Sequence, residues 1–200
     1  MMPRCENGED LARWVAAVLR FGGCLADRIE SASVDHEWTC SCCGQTFDTL
    51  PMDYAVSAPR NWFAIPEIER AARTKLSTDL CMIDGVEHYV RGCLEIPVHD
   101  STEMLVWGVW VSISEDSLKR ILDLWDGPVA PDEPPRFGWF DSWFRGYPEP
   151  REIRCQIYLR SGNMRPRVVL EPTDYPLAVE QRNGITLDRV REIAAQTGHG

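Results

Sequence analysis

The chain has 200 residues, of which 44% are hydrophobic and 26% charged, and this composition excludes a largely disordered protein. Its 31 acidic residues against 21 lysines and arginines give a formal net charge of −10. An electric field of that sign repels phosphate backbones, so we expect no nucleic-acid partner and, among proteins, a basic one.

The first apolar run, WVAAVLRF, lacks the features of an export signal or a membrane span. Glu6, Glu9 and Asp10 precede it where a signal peptide carries positive charge, and Arg20 interrupts it. A helix that spans a bilayer needs about 20 consecutive apolar residues, and no segment of this sequence is that long. We therefore expect a cytoplasmic protein with no membrane association, whose cysteines are free thiols or metal ligands rather than disulfides.

Helical spacing marks the N-terminal segment, where Leu11, Val15 and Leu19 follow one another at intervals of four. The spacing predicts one or two helices from Asp10 to about Arg28. We therefore divide the chain into a helical segment (1–36), a single domain (37–196) and a short tail (197–200). Farther on, Pro66 followed by acidic residues predicts the start of another helix.

The middle of the chain is rich in strand signals. LCMID and VEHYVRGCLEIPV flank Asp84-Gly85, a dipeptide typical of a β-hairpin turn. MLVWGVWVSIS predicts a third strand that is apolar on both faces, which indicates a central strand covered on both sides. We expect Trp107, Val109 and Val111 on this strand to be almost fully buried.

The C-terminal half combines helices and strands. Ser114 is predicted to cap a helix over SEDSLKRILDLWD, and Thr186 to begin a terminal helix over TLDRVREIAAQ. EIRCQIYLR and RVVLEP predict two further strands, whereas RFGWFDSWFRGYP fits no element. Strands joined by hairpins, with helices in blocks, predict an α+β fold in which helices flank a mainly antiparallel sheet.

The stretch CSCCG has the spacing of half a zinc knuckle. In such a turn the thiolates of Cys40 and Cys43 reach one ion, and Gly44 permits the turn beneath it. A closed zinc site needs four ligands, and the sequence has no second Cys-x-x-Cys. Cys81 is the first candidate for a third ligand, and the alternative is that the cysteines pack as small apolar groups. The remaining candidate ligands are Cys42, Cys93, His36, His88 and His99.

Tryptophans are the other candidates for a site. A ligand or partner groove is predicted from four of them together with an arginine, the alternative being that the rings belong to the core. The groove residues are Trp107, Trp110, Trp139, Trp143 and Arg91. Arg91 and Glu95 lie four positions apart on one predicted strand, so we expect them on the same face as an ion pair rather than an active site.

Several ordered pieces of the sequence resemble a bacterial family, the domain of unknown function 2199. The pieces are CSCCG, DLCMIDG, YVRGCLEIPV, WGVWVSIS, FGWF and PLAVEQRNGIT, and they extend over roughly residues 38–195. The resemblance implies no particular activity. In the family pattern, histidines stand at the positions of Phe47 and Tyr175. If those histidines complete a metal site with Cys40 and Cys43, this chain lacks half of it, so the resemblance implies a weak or empty zinc site.

Recognised catalytic motifs are absent from the sequence, which contains no G-x-S-x-G, P-loop, H-E-x-x-H or G-x-G-x-x-G pattern. The function we expect is a non-catalytic binding module, one version being an immunity or antitoxin-like protein that masks a basic toxin. The alternative is a metal- or thiol-dependent enzyme using Cys40, Cys43 and Cys81. Such an enzyme needs three ligands and an open coordination position, whereas a binding module needs a closed site or none.

Overall fold

The computed structural model of the chain describes residues 33–41, 43–99 and 101–197. Within these ranges, ten strands make up most of the regular structure and five helices connect or cover them. The strands are β1 (Ser33–Thr39), β2 (Thr46–Pro51), β3 (Asp53–Ala55), β4 (Thr74–Leu76), β5 (Leu80–Ile83), β6 (Glu87–Pro97), β7 (Met104–Ile113), β8 (Arg136–Phe140), β9 (Arg154–Tyr158) and β10 (Arg167–Leu170). The helices are α1 (Arg60–Phe63), α2 (Glu67–Arg73), α3 (Glu115–Leu124), α4 (Pro176–Asn183) and α5 (Leu187–Thr197).

The helix predicted between Asp10 and Arg28 lies outside the described residues. Of the predicted helical segment 1–36, only the last four residues are described, and they begin β1. The division into segment, domain and tail therefore stays a prediction. None of the helices in the described part of the chain has the length and apolar composition needed to cross a bilayer.

Five strands close into a barrel. β6 pairs with β7, β7 with β8, β8 with β9 and β9 with β10, all antiparallel. β10 then returns to β6 in a parallel pairing through Arg167 and Cys93. Three further strands lie outside this ring. β3 pairs with β7, β5 pairs with β6, and β4 pairs with β5.

The predicted fold class, an antiparallel sheet flanked by helices, was wrong. The sheet covers its own apolar face by closing into the barrel, and the helices of the described residues are short, the longest of them having 11 residues. An alternating strand pattern says that one face is buried, but an open sheet under helices and a closed barrel bury that face equally well. Closure depends on a pairing between β6 and β10, which are about 70 residues apart and carry no local signal for it.

The buried position predicted for β7 is confirmed. Trp107, Val109 and Val111 are fully buried and face the main core inside the barrel. Trp110, on the opposite side of the strand, is equally buried in a second core cluster outside the barrel with Tyr89 and other residues. β7 is therefore covered on both sides, as its apolar sequence predicts.

Local turn and cap signals are confirmed as well. β5 and β6 form the predicted hairpin, and Asp84 and Gly85 both adopt positive φ angles, 51° and 74°. The Ser114 hydroxyl accepts a hydrogen bond from the backbone N–H of Ser117 at the start of α3. Thr186 caps α5 in the same way. These elements form as predicted because neighbouring residues in the sequence determine them.

β1 and β2 form a hairpin, and this two-stranded sheet has no strand pairing with the barrel. The turn that joins the two strands contains Cys40 and Cys43. Ser41 in this turn donates both its backbone N–H and its hydroxyl to the carbonyl of Ala195 in α5. These hydrogen bonds join the hairpin to the C-terminal helix, and Leu50 of β2 and Val190 of α5 both belong to the main core.

Closure of the barrel leaves no space for a side chain at Gly92. A side-chain carbon at this position would lie 2.5 Å from Cγ2 of Val168 and 2.8 Å from the carbonyl oxygen of Pro166. We therefore expect Gly92→Ala to lower the free energy of unfolding by about 1–3 kcal/mol, because β10 must move away from β6. Urea denaturation measures this loss. Gly127→Ala is the matched control, since the nearest atom there is a carbonyl oxygen 4.0 Å away. Equal stabilities of the two variants would contradict the expectation.

Candidate binding surface

The cysteine turn has the knuckle-like shape that the sequence predicts. The backbone N–H of Gly44 donates to the carbonyl of Cys40, and the N–H of Cys40 donates to the carbonyl of Gln45, both at 2.9 Å. Gly44 has a φ of 72°, a conformation that glycine adopts at little cost. Cys40 is buried in the main core, whereas Cys43 is exposed.

Cys81, the predicted third ligand, lies elsewhere in the fold. It is buried on β5 in the second core cluster, beside Tyr89 and Trp110, whereas Cys40 belongs to the main core. Among the described residues, no three or more cysteine, histidine or acidic side chains converge as a metal site would require. The structure therefore does not bring Cys40, Cys43 and Cys81 together.

Packed aromatic rings stand at Phe47 and Tyr175, the two positions at which the resemblance in the sequence implied histidines. Phe47 stacks on Trp38 with ring centres 4.9 Å apart. Tyr175 donates its hydroxyl to the carbonyl of Pro148, and burial raises its pKa to about 12. Neither side chain offers zinc a suitable donor, since phenylalanine has none and a protonated tyrosine is a poor one.

We therefore expect protein purified without added metal to contain far less than one zinc per chain. The physical reason is that Cys40 and Cys43 supply two of the four ligands that a closed site needs, and no metal-binding group of three or more ligands occurs in the part of the chain that the structure describes. Elemental analysis of the purified protein measures the metal content. Stoichiometric zinc that disappears in Cys40→Ser, but persists in Cys81→Ser, would contradict this expectation and show a site built around the turn.

The buried thiols are poor nucleophiles. Burial, with a smaller contribution from the Asp141 and Glu87 carboxylates, raises the pKa of Cys81 to about 12. Burial also raises the pKa of Cys155 to about 12. Both side chains are therefore protonated near neutral pH, whereas thiol catalysis requires the thiolate.

A network of polar side chains surrounds Cys81, and the sequence did not reveal it. The Tyr89 hydroxyl donates to Glu87 at 2.6 Å and accepts from the side-chain amide of Asn61 at 2.9 Å. The buried carboxylate of Asp141 accepts the backbone N–H of Asn61 and lies 3.5 Å from Nε of Arg60. Burial raises the pKa of Asp141. The network joins α1 to the outside of the barrel, and no short motif connects residues so distant in sequence.

The predicted tryptophan groove does not form as one surface. Trp107 and Trp110 are fully buried on opposite sides of β7, so neither can line a groove with Trp139 and Trp143. Trp107 packs against Phe144, with ring centres 4.1 Å apart. Trp107 and Trp110 are therefore core residues, which was the alternative interpretation of the tryptophans.

Arg91 and Glu95 lie half-buried on the outward face of β6, but they do not form the predicted ion pair, because Glu95 pairs with a different arginine. Glu95 accepts a charged hydrogen bond from Arg160 at 2.7 Å, so its partner comes from the loop before β10. Arg91 extends over Gly108 and donates to the carbonyl of Thr78 at 3.4 Å. Arg91 therefore contributes to packing outside the barrel.

An exposed patch does occur on the outward face of β8, β9 and β10. We call it the aromatic–arginine face, and it consists of Phe137, Trp139, Arg154, Tyr158 and Arg167. The three rings are 45%, 39% and 36% exposed, respectively. Trp139 lies opposite Arg154 in the strand register, and Tyr158 lies opposite Arg167. Inward-facing residues of the same strands, such as Ile157, are fully buried.

Each arginine of this face stands over one of its rings. The guanidinium carbon of Arg154 lies 5.5 Å from the centre of the Trp139 ring, and that of Arg167 lies 5.2 Å from the centre of the Tyr158 ring. Within the described residues, neither guanidinium has a carboxylate partner. Other arginines nearby do have one, since Arg136 pairs with Glu133, Arg160 with Glu95 and Arg165 with Asp79.

The local charge of this region differs in sign from that of the chain. Residues 136–170 contain seven arginines against three acidic residues, a formal charge of +4 in a chain of −10. Two of the three carboxylates, Asp141 and Glu149, pair with Arg60 on α1. The sequence did contain a signal for this face, because Arg154, Gln156 and Tyr158 alternate with the buried Cys155 and Ile157 along β9.

Comparisons with known proteins agree with the resemblance in the sequence. The family model described as an uncharacterised protein conserved in bacteria (DUF2199) matches residues 39–185. Neither the curated proteins nor the solved structures contain a match. The matched residues include the cysteine turn, the whole barrel and α4. Since this model covers well over half of the chain, the protein belongs to the bacterial family of domain of unknown function 2199.

Proposed function

We propose that the protein is a non-catalytic binding protein that holds a macromolecular partner on the aromatic–arginine face. The observation that carries the proposal is the pair of guanidiniums, Arg154 and Arg167, that lie over exposed rings and have no carboxylate partner among the described residues. Aromatic residues and arginine are enriched at protein interfaces because they combine a large contact area with directional hydrogen bonds.

The exposure of these rings supports the proposal. Phe137 and Trp139 contact each other edge to face at 5.4 Å on a rigid strand, so they form a continuous apolar surface rather than isolated exposed residues. A contiguous apolar patch on a soluble protein is a common mark of an interaction site. Its position on three paired strands also means that binding requires little ordering of the protein.

The alternative, a metal- or thiol-dependent enzyme, has less support. It requires a thiolate or a set of converging ligands, and Cys81 is buried with a pKa raised to about 12. Cys81 also lies in a different core cluster from Cys40. Binding is therefore the function that the described residues support best.

We place this function in the cytoplasm, and five free cysteines among the described residues support that location. A basic partner, such as a toxin masked by an immunity or antitoxin-like protein, stays a prediction from the net charge of −10. The aromatic–arginine face has the opposite charge. A basic partner would consequently need another surface, and the proposal does not depend on one.

The proposal is tested by affinity capture from the native bacterium with quantitative mass spectrometry. Wild-type protein is compared with Phe137→Ser/Trp139→Ser and with the control Phe63→Ser, whose ring is 50% exposed on α1. We expect a specific partner that is retained by wild type and control but lost by the face variant. Thermal unfolding confirms that all three proteins are folded. A partner retained equally by the face variant would contradict the proposal.

A further inference from the structure

We infer that the aromatic–arginine face takes an extended acidic peptide segment in which two carboxylates, four residues apart, flank an apolar side chain. The inference rests on the proposed function, because it specifies the ligand of the same surface. It follows from the spacing of the two guanidiniums, from the apolar rings of β8 beside them and from the charge of the region.

The spacing is set by the strand register. Trp139 is paired with Arg154, Phe137 with Gln156, and Tyr158 with Arg167. Arg154 and Tyr158 are four positions apart on β9, which corresponds to about 13 Å along a strand. An extended peptide that lies along β9 directs every second side chain toward the face, and its residues i and i+4 are also about 13 Å apart. Carboxylates at these two positions therefore reach the two guanidiniums.

The middle of the face has one polar and one apolar side chain. Gln156 lies between Arg154 and Tyr158 on β9, and the Phe137 ring stands beside it on β8 and contacts the Trp139 ring at 5.4 Å. The residue at position i+2 of the peptide faces this surface. An aliphatic or aromatic side chain there removes apolar area from water on both molecules. The face therefore selects a pattern of acidic, any, apolar, any, acidic residues.

The charges favour carboxylates as the polar ligands. Arginine binds a carboxylate through two parallel hydrogen bonds, and neither Arg154 nor Arg167 has such a partner within the described residues. A ring beneath each guanidinium leaves its hydrogen-bonding edge free for a ligand while holding the side chain in place. Binding to this arrangement requires less loss of side-chain freedom than binding to a mobile arginine.

A single-stranded nucleic acid is the less favourable ligand for the same arginines and rings. The net charge of −10 repels a polyanion, whereas a short segment with two carboxylates presents little charge beyond the face. Successive bases also stack on ring faces. Here Phe137 and Trp139 are nearly perpendicular, at 84°, and an arginine stands over the Trp139 ring. The face consequently lacks a stacking platform of parallel rings.

The test uses the full chain and three fluorescein-labelled probes in an anisotropy titration. The first probe is the peptide Gly-Ser-Glu-Ser-Leu-Ser-Glu-Ser-Gly, the second has glutamine in place of both glutamates, and the third is a single-stranded oligodeoxythymidine. The proteins are wild type, Arg154→Gln/Arg167→Gln, and the charge-matched control Lys119→Gln/Arg191→Gln on α3 and α5. Both double variants remove two positive charges, and the control removes them away from the face, where Lys119 pairs with Glu115 and Arg191 with Asp188.

We expect wild type to bind the glutamate peptide about tenfold more tightly than the glutamine peptide, as a charged hydrogen bond is worth roughly this factor. The face variant should lose that preference, and the control should change affinity less than about twofold. Equal affinities for the two peptides, binding of neither, or a preference retained by the face variant overturns the inference. Tighter binding of the oligodeoxythymidine overturns it in favour of a nucleic acid. A last outcome separates this inference from the proposed function. If the titration shows no preference for the glutamate peptide, but affinity capture still finds a partner that the Phe137→Ser/Trp139→Ser variant loses, the proposed ligand is wrong and the proposed function stands.

Discussion

Replacing Trp107 with alanine is expected to lower the free energy of unfolding by about 3–5 kcal/mol. The side chain is fully buried inside the barrel, where its ring contacts those of Phe144, Tyr54 and Tyr147 at 4.1, 5.0 and 5.9 Å. β7 cannot collapse into the resulting cavity, because β6, β3 and β8 are paired to it on both edges. Urea denaturation followed by circular dichroism measures the loss.

Trp143→Ala is the matched control for this prediction. The same ring is removed, but at a site that is 56% exposed, so we expect a loss below about 1 kcal/mol. Similar losses in the two variants would contradict the assignment of Trp107 to the rigid interior of the barrel. A Trp107→Phe variant should recover part of the lost stability, because it refills part of the cavity.

The second large effect is expected for Asp79→Ala, which should cost about 3–5 kcal/mol because it breaks a buried ion pair. Asp79 is buried, with 3% of the residue exposed, and its carboxylate accepts a hydrogen bond from Nε of Arg165 at 2.6 Å. Removing the carboxylate leaves a largely buried guanidinium without its nearest counter-charge. Denaturation of Asp79→Ala, Arg165→Ala and the double variant measures the coupling between the two residues.

Arg73→Ala is the control for Arg165→Ala, because it breaks a pair of the same chemistry and length at the surface and leaves Asp84, which has a positive φ in the β5–β6 turn, in place. Asp84 lies 2.6 Å from Arg73, but both side chains are about 40% exposed, whereas those of Asp79 and Arg165 are 4% and 18% exposed. We expect a loss of about 0–1 kcal/mol for the exposed pair. Losses of equal size at the two sites would show that burial does not decide the strength of these pairs.

The Asp79–Arg165 pair also bears on the proposed binding surface. Arg165 lies two residues before Arg167, and the carbonyl of the intervening Pro166 accepts the backbone N–H of Cys93 at 2.8 Å. The ion pair and this hydrogen bond together hold the start of β10 against β6. Closure of the barrel therefore positions one of the two arginines that we assign to ligand binding.

The sequence by itself determined the elements that depend on neighbouring residues. The hairpin of β5 and β6 follows from Asp84-Gly85, since few other dipeptides accept two positive φ angles. The start of α3 follows from Ser114, whose hydroxyl satisfies a backbone N–H that the helix leaves unpaired. The burial of Trp107 on β7 follows from a strand that is apolar on both sides. The family follows from ordered pieces of the chain, and the match over residues 39–185 confirms it.

Only the tertiary structure decided that the sheet closes, and with closure it decided which large side chains face water. Trp107, Trp110 and Trp139 have the same intrinsic preference for burial, yet Trp139 is 39% exposed while the other two are fully buried. The difference arises from what covers each strand face: residues around Cys81 and Tyr89 cover Trp110, whereas the outward face of β8 to β10 carries exposed rings and arginines. Such coverage depends on contacts between residues far apart in the sequence. The pattern of a single strand therefore cannot show whether its second face meets protein, solvent or a ligand.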